Sequence, residues 1–178
     1  MILIMTVEYD LHALEVRRRI LSRGYNDCFI FECDRIAGQQ SLSFGIGRND
    51  TSSLIRTHEG GQLRVASGGV IWFRRSTREQ YYECEPDDPV AKDLINNECR
   101  DAVNAVFETD FCGKWISKVQ PTIRASNKLL QLLAASKCGF RVPESIITQS
   151  KSEVLNFYDR HKGNVIVKPI KERTKNQS

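Results

Sequence analysis

The opening stretch "MILIMTVEYDLHALEVRRRILSRGYNDCFIFE" constrains the fold more than any other part of the chain. Residues 2–7 (Ile-Leu-Ile-Met-Thr-Val) make a continuous apolar strand. Asp10 then caps a helix running to about Arg23. Ala13, Val16 and Ile20 recur at helical spacing, flanked by Leu14 and Leu21. Gly24 ends that helix, as a residue free to turn left-handed does. Residues 27–32 form a second strand. A strand, a helix and a strand in this order predict a parallel pair with a right-handed crossover. The apolar run at the start has no basic residues before it and no small-residue cleavage site after it, so it reads as a strand and not as a signal peptide.

The pattern then changes. "SLSFGIGRNDTSSLIRT" alternates apolar and polar residues around Gly47-Arg48-Asn49-Asp50, which predicts a hairpin. "HEGGQ" is a further turn. In "GGVIWFRRS", Val70, Ile71, Trp72 and Phe73 follow one another, as in an interior strand. Helical spacing returns from Pro89 to about Phe107, with Val90, Leu94, Ile95, Cys99, Ala102, Val103 and Val106 on one broad face. Asp87 and Asp88 stand where that helix needs a cap, with Pro89 at its start. Residues 111–125 show no clean period and read as an ordered connection around Trp115. Ser126 is expected to cap the Leu-rich helix "NKLLQLLAASK", which Gly139 stops with Phe140 packing back on its last turn. "VPESIITQ" reads as a strand, "SKSEVLNFYDRHK" as a helix, and "NVIVKP" as a last strand.

Two units are expected: an α/β domain over residues 1–124 with an inserted hairpin, and a helix–strand–helix–strand unit over residues 125–178. Two strands bury little surface by themselves. The second unit therefore needs a core supplied by the first unit, by a further segment or by another chain.

The net charge is +4, with 26 basic residues scattered among 22 acidic ones. Nucleic-acid binders concentrate their basic residues in a stripe, and the only basic run here, Arg17-Arg18-Arg19, lies within an amphipathic helix. Nucleic acid is therefore not expected as a partner. No stretch approaches the length of a membrane span. None of the six cysteines is spaced as a zinc ribbon or redox pair requires. Cys28, Cys99 and Cys138 fall at apolar positions, as reduced thiols do in a cytoplasmic protein. His12, His58 and His161 form no metal set, and Trp72 and Trp115 read as core.

Four cationic residues carry candidate chemistry. Lys128 falls in the first turn of a helix, where a cation opposes the helix dipole by a few tenths of a kcal/mol. Either it is a solvated lysine, or an anion such as phosphate binds there. Lys168 ends the apolar run Val165-Ile166-Val167, at the kind of strand end where α/β sheets bind ligands. Either it is a charged terminus at the surface, or it is a point charge for a phosphate. Arg74 and Arg75 end "VIWF". Either they are solvated, or one of them clamps a substrate carboxylate, since alternation sends them to opposite faces.

Taken in order, "ASNKLLQLLAASKCGFRVPESIITQS" and "GNVIVKPI" resemble the linker and start of the nucleotide-binding region of ATP-grasp ligases. The features are Asn-Lys at a helix start, Gly-Phe-x-Val-Pro, an Ile-Thr strand and an apolar strand ending in Lys-Pro. "VIWFRRS" before a long helix resembles the pre-ATP-grasp domain of ligases that macrocyclise ribosomal peptides, the microviridin- or graspetide-type maturases. The resemblance spans essentially the whole chain. It implies a Rossmann-like pre-ATP-grasp domain followed by an incomplete ATP-grasp subdomain. It also implies a carboxylate activated with ATP as an acyl phosphate and attacked by an amine or hydroxyl. Lys128 and Lys168 match the family's nucleotide-contacting lysines, and ATP and Mg²⁺ are the implied cofactors. The family's glycine-rich loop should follow Lys168, where this chain has "PIKERTKNQS", and its Mg²⁺ ligands come later still. The expectation is the N-terminal part of such a ligase, acting on a precursor peptide and inactive alone, with a missing C-terminal half or a homodimer as partner. The alternative is a non-catalytic binding or regulatory module that pairs with a full ligase or a peptide.

Overall fold

The structure, a computed structural model, describes residues 1–48, 51–57, 59–67, 69–75, 79–82 and 86–170. Asn49 and Asp50 of the expected hairpin turn, His58, Cys84 and the last residues after Ile170 lie outside the described residues. The chain divides into two compact units, Met1–Val119 and Gln120 onward.

The first unit is built on a parallel sheet. β1 (Ile2–Thr6) leads through α1 (Leu11–Ser22) to β2 (Cys28–Glu32), and the two strands pair in parallel with Ile2 opposite Cys28. β6 (Val70–Phe73) lies on the other side of β1, also parallel, with Ile2 opposite Val70. The four-stranded order is β2-β1-β6-β7, where β7 is Lys114–Ile116. β6 is therefore an interior strand, as its unbroken apolar run predicts. β7 and the short helix α3 (Val119–Ala125) replace the irregular connection expected over 111–125. Three strand residues at an edge are too few to show a period, so pairing with β6 and not local pattern defines this strand.

Side-chain alternation sorts the sheet's two faces. Ile4 and Cys28 pack with Ala13 of α1, and Ile2, Ile30, Trp72, Val16 and Ile20 close around them. Phe31 faces the other way and meets Phe107 of α2 (Pro89–Asp110) with ring centroids 5.7 Å apart. Both rings are fully buried, and truncating either costs about 3–5 kcal/mol. α2 starts as its sequence dictates: Asp88 accepts from the N–H of Val90, and Pro89 occupies the first helical position.

The inserted segment forms a second, antiparallel sheet of β3 (Ser41–Ile46), β4 (Thr51–Arg56) and β5 (Gln62–Arg64). Its core residues Ile55, Leu63 and Val65 are buried, and the Ser53 hydroxyl donates to the Asp110 carboxylate at the end of α2. At the amino end of the parallel sheet, Gly69 has φ +107° and the N–H of Val70 donates to the carbonyl of Met1. A Cβ at Gly69 would overlap that carbonyl, so glycine is what allows β1 and β6 to close there.

The second unit is different in kind. α4 (Lys128–Lys137) and α5 (Lys151–Arg160) are well-formed helices, capped by Asn127 and Ser150. The cap of α4 is thus Asn127 and not Ser126, whose hydroxyl turns back to the carbonyl of Ile123. No described residue from 120 to 170 is buried. The two strands expected over "VPESIITQ" and "NVIVKP" do not form: both segments run without strand pairing. A strand is defined by its ladder, and among the described residues neither segment has a neighbour to supply one. The apolar run before Lys168 is accordingly exposed, with Ile166 at 80 % and Val167 at 95 %. Phe140 stays at 70 % exposure instead of packing on the turn before it, and Cys138 is exposed. Of the expected core thiols, Cys28 is buried and Cys99 half-buried.

Candidate functional site

In an open parallel sheet the ligand crevice lies outside the carboxyl ends of the strands, where successive connections leave in opposite directions. Here the chain runs from β1 to β2 on one side and later enters β6 on the other. That rule points to the carboxyl ends of β1 and β6. Thr6 ends β1, Asp10 opens α1 just beyond it, and Arg74 and Arg75 follow β6.

Thr6, Asp10 and Arg74 form one bonded group. The Thr6 hydroxyl donates to Oδ2 of Asp10 at 2.6 Å, and Nε of Arg74 donates to the same oxygen at 2.6 Å. Oδ1 of Asp10 accepts from the N–H groups of His12 at 3.1 Å and Ala13 at 3.4 Å. The Asp10 side chain is only 2 % exposed. Burial alone would raise its carboxyl, but the Thr6 hydroxyl, the Arg74 guanidinium and the Ala13 amide outweigh that and hold it at about 2. Asp10 is thus an ionised, fully engaged carboxylate that ties the end of β6 to the end of β1. The backbone helps: the N–H groups of Arg74 and Arg75 both point to the carbonyl of Met5, at 3.0 and 3.3 Å.

Arg74 and Arg75 do part company, as alternation predicts. Arg74 is largely enclosed, bonded to Asp10 and set over the Trp72 ring, whereas Arg75 is exposed. Asp10 reads in the sequence only as a helix cap. Its second role depends on a partner 64 residues away, which no local pattern reveals.

Beside this group, a cleft of about 290 Å³ opens between the ends of β1 and β2. Its lining includes Thr6, Glu8, Tyr9, Leu14, Glu32 and Gln39. The carboxylate of Glu8 pairs with Arg35, and its N–H donates to the Asp34 carboxylate. Tyr9 sits at φ 57° with most of its ring exposed, a left-handed conformation that costs a tyrosine roughly 1 kcal/mol. Gln80 braces the loop after β2, donating to the carbonyl of Cys33 and accepting from the N–H groups of Ile36 and Ala37.

The two lysines lie in the second unit. Lys128 is the first residue of α4, and its N–H donates to the carbonyl of Ile170 at 2.8 Å. That contact brings the helix start beside the segment that carries the exposed Lys168. The next two N–H groups, of Leu129 and Leu130, go to the Asn127 side chain. The amides of the first turn are thus already engaged, so an anion approaching this end would be met by lysine side chains. Among the described residues no three His, Cys, Asp or Glu side chains gather as a metal site, so no residue here is assigned to Mg²⁺. No helix among the described residues is long and apolar enough to cross a membrane.

No protein-family model matches the chain, and no curated protein matches it in sequence. Solved structures do match. The macrocyclase MdnC of Microcystis aeruginosa MRC, solved with its precursor peptide MdnA, superposes with a TM-score of 0.77 at 21 % identity, over 90 % of this chain and 51 % of that one. The macrocyclase MdnB of the same organism gives 0.79 at 18 % identity, over 91 % of this chain and 52 % of that one. An ATP-grasp ligase associated with ribosomal peptides (RiPPs) in Chryseobacterium gregarium, solved with ADP and a leader and core peptide, gives 0.74 at 20 % identity, over 90 % and 48 %. The fold is therefore that of a RiPP-modifying ATP-grasp ligase, and the chain spans about half the length of these relatives in structure. The resemblance read from the sequence holds at the level of the fold.

Proposed function

We propose that this chain is the N-terminal part of an ATP-dependent ligase that joins a carboxylate to an amine or hydroxyl of a ribosomally made peptide, and that it does not catalyse alone. The superposition on MdnC over 90 % of the chain carries this reading. Residues 1–124 serve as its pre-ATP-grasp domain, and residues 125–178 begin its nucleotide-binding domain. Lys128 and Lys168 contact the nucleotide, and Arg74 or Arg75 contacts the substrate. ATP with Mg²⁺ supplies the activation of the carboxylate as an acyl phosphate. This chain's contribution is to orient: two lysines neutralise phosphate charge, which stabilises charge that a transition state gathers. The precursor peptide is the substrate partner, a second ligase half completes the site, and the setting is cytoplasmic.

The test is reconstitution. The purified chain is incubated with ATP, Mg²⁺ and a precursor peptide, with and without a separately expressed polypeptide carrying the second half of such a ligase. ADP release and peptide dehydration should appear only with both. Lys128→Ala and Lys168→Ala should each weaken nucleotide binding by the reconstituted protein roughly tenfold, the loss of one charge-assisted contact. Ligation by the chain alone would overturn the proposed inactivity, and unchanged nucleotide binding in both variants would remove the lysines from the site.

A second reading, a non-catalytic module that pairs with a full ligase or with a peptide, is favoured by one observation: no described residue from 120 to 170 is buried. Light scattering on the isolated chain addresses it, since a stable, well-folded monomer argues against an obligate partner.

A further inference from the structure

We infer that the cleft between the ends of β1 and β2 binds a nucleoside that carries no phosphate. Glu32 takes the ribose hydroxyls, and Tyr9 with the apolar lining takes the base. The site belongs wholly to the first unit and does not depend on the role proposed for Lys128 and Lys168.

The strand–helix–strand unit of β1, α1 and β2 selects the class of ligand. In nucleotide-binding units of this kind, phosphate sits on the N–H groups where the helix starts, and an acidic residue further along takes the ribose hydroxyls. Glu32 is the last residue of β2 and lines the cleft. Buried Gln40 fixes it there: Nε2 of Gln40 donates to Oε2 of Glu32 at 3.1 Å, and the N–H of Glu32 donates to Oε1 of Gln40 at 3.2 Å. The place of a phosphate, by contrast, is filled by the protein itself. The N–H groups of His12 and Ala13 at the start of α1 go to the Asp10 carboxylate. The loop before α1, "VEYD", has no glycine to let a pyrophosphate approach the backbone. Glu8 and Asp10 line the cleft with Glu32, and no described lining residue is a lysine or arginine. An anion is repelled here, whereas an uncharged diol is not, because a carboxylate accepts from both hydroxyls. A volume of about 290 Å³ is at the small end of ligand sites, the scale of a nucleoside and not of a dinucleotide. Leu14 and Ile30 give the cleft an apolar wall. Tyr9 adds a ring that is 78 % exposed on a left-handed backbone. Strain of that kind collects at ligand sites, and a base stacks on an exposed aromatic face.

Amide resonances of the full chain are followed by NMR, without ATP or Mg²⁺, while adenosine, 2′-deoxyadenosine, AMP and ribose are added in turn. Adenosine should shift the amides of Tyr9, Leu14, Ile30 and Glu32. 2′-Deoxyadenosine should bind roughly tenfold more weakly or worse, since the lost hydroxyl leaves the Glu32 carboxylate without its donor. AMP should also bind more weakly than adenosine, and ribose should cause no shift at the same concentration. Glu32→Gln keeps an acceptor for Gln40 and should weaken adenosine roughly tenfold. Tyr9→Gly removes the ring and relieves the left-handed backbone, so it should weaken adenosine without lowering Tm. Equal binding of adenosine and 2′-deoxyadenosine, or a Glu32→Gln variant that binds adenosine as before, would overturn Glu32 as the partner of the diol. Tighter binding of AMP than of adenosine would overturn the exclusion of phosphate. Ribose shifts equal to those of adenosine, or unchanged adenosine binding by Tyr9→Gly, would overturn the part given to the base. Shifts confined to residues 120–170 would overturn the cleft as the site. Because no ligation enters, a failure here leaves the ligase reading intact, and a failed reconstitution leaves this result intact.

Discussion

Nε of Arg74 stands 2.6 Å from Oδ2 of Asp10, joining the residue after β6 to the residue that opens α1. Asp10 also caps that helix, so a single carboxylate serves a helix end and a strand end. Asp10→Asn keeps the shape and the cap but removes the charge, leaving Arg74 enclosed without its counter-ion. Asp10→Ala also loses the cap. We expect Asp10→Asn to lower the unfolding free energy by about 2–3 kcal/mol and Asp10→Ala by about 1 kcal/mol more, read from urea denaturation. Equal stability of wild type and Asp10→Asn would show that the pair contributes nothing net.

The same carboxylate gives the fold an acid limit. Its folded value of about 2 lies below the ordinary 3.8, so its stabilisation is fully present above about pH 4 and is lost as pH falls through 2. The contribution is about 2 kcal/mol. Stability measured between pH 5 and pH 2 should fall more steeply in the wild type than in Asp10→Asn. Parallel curves would assign the acid limit to other groups.

Gly113 precedes β7, and a Cβ there would overlap both the carbonyl of Gly69 and the ring of Phe111. Neither can retreat easily, since the Gly69 carbonyl accepts from the N–H of Lys114 and Phe111 packs edge-on against Trp115. Gly113→Ala should cost about 1–3 kcal/mol by thermal denaturation, with the loss expressed as a weakened β6–β7 pairing. An unchanged melting temperature would mean that β7 is not held as described.

Hydrogen exchange should divide the chain at the unit boundary. The amides of Ile4 and Ile71 lie in buried, paired strands, whereas those of residues 144–149 have neither burial nor a ladder. The strand amides should exchange roughly a thousandfold slower or more, following the opening free energies of a folded domain. On adding the second ligase half, protection should appear in residues 144–149 and 164–169. Full protection of those segments in the isolated chain would contradict the exposed arrangement.

Some of this was open to inspection in the residues themselves. The caps Asp10 and Asp88 announce their helices because a cap acts within three residues of its own position. The parallel β1–β2 pair and the interior place of β6 follow from apolar runs and a crossover rule that local pattern is enough to invoke. Motif order carried the ligase fold, although no stretch of sequence was close enough to match a family on its own. Other features lay beyond reach. β7 has three residues and exists only because β6 is beside it. The bond between Arg74 and Asp10 spans 64 positions and required the sheet to be assembled first. The run Val165-Ile166-Val167 has the composition of a buried strand and yet is exposed or half-buried. Composition determines what a segment can bury, but a strand exists only where a second backbone meets its hydrogen bonds, and that meeting is decided by tertiary structure alone.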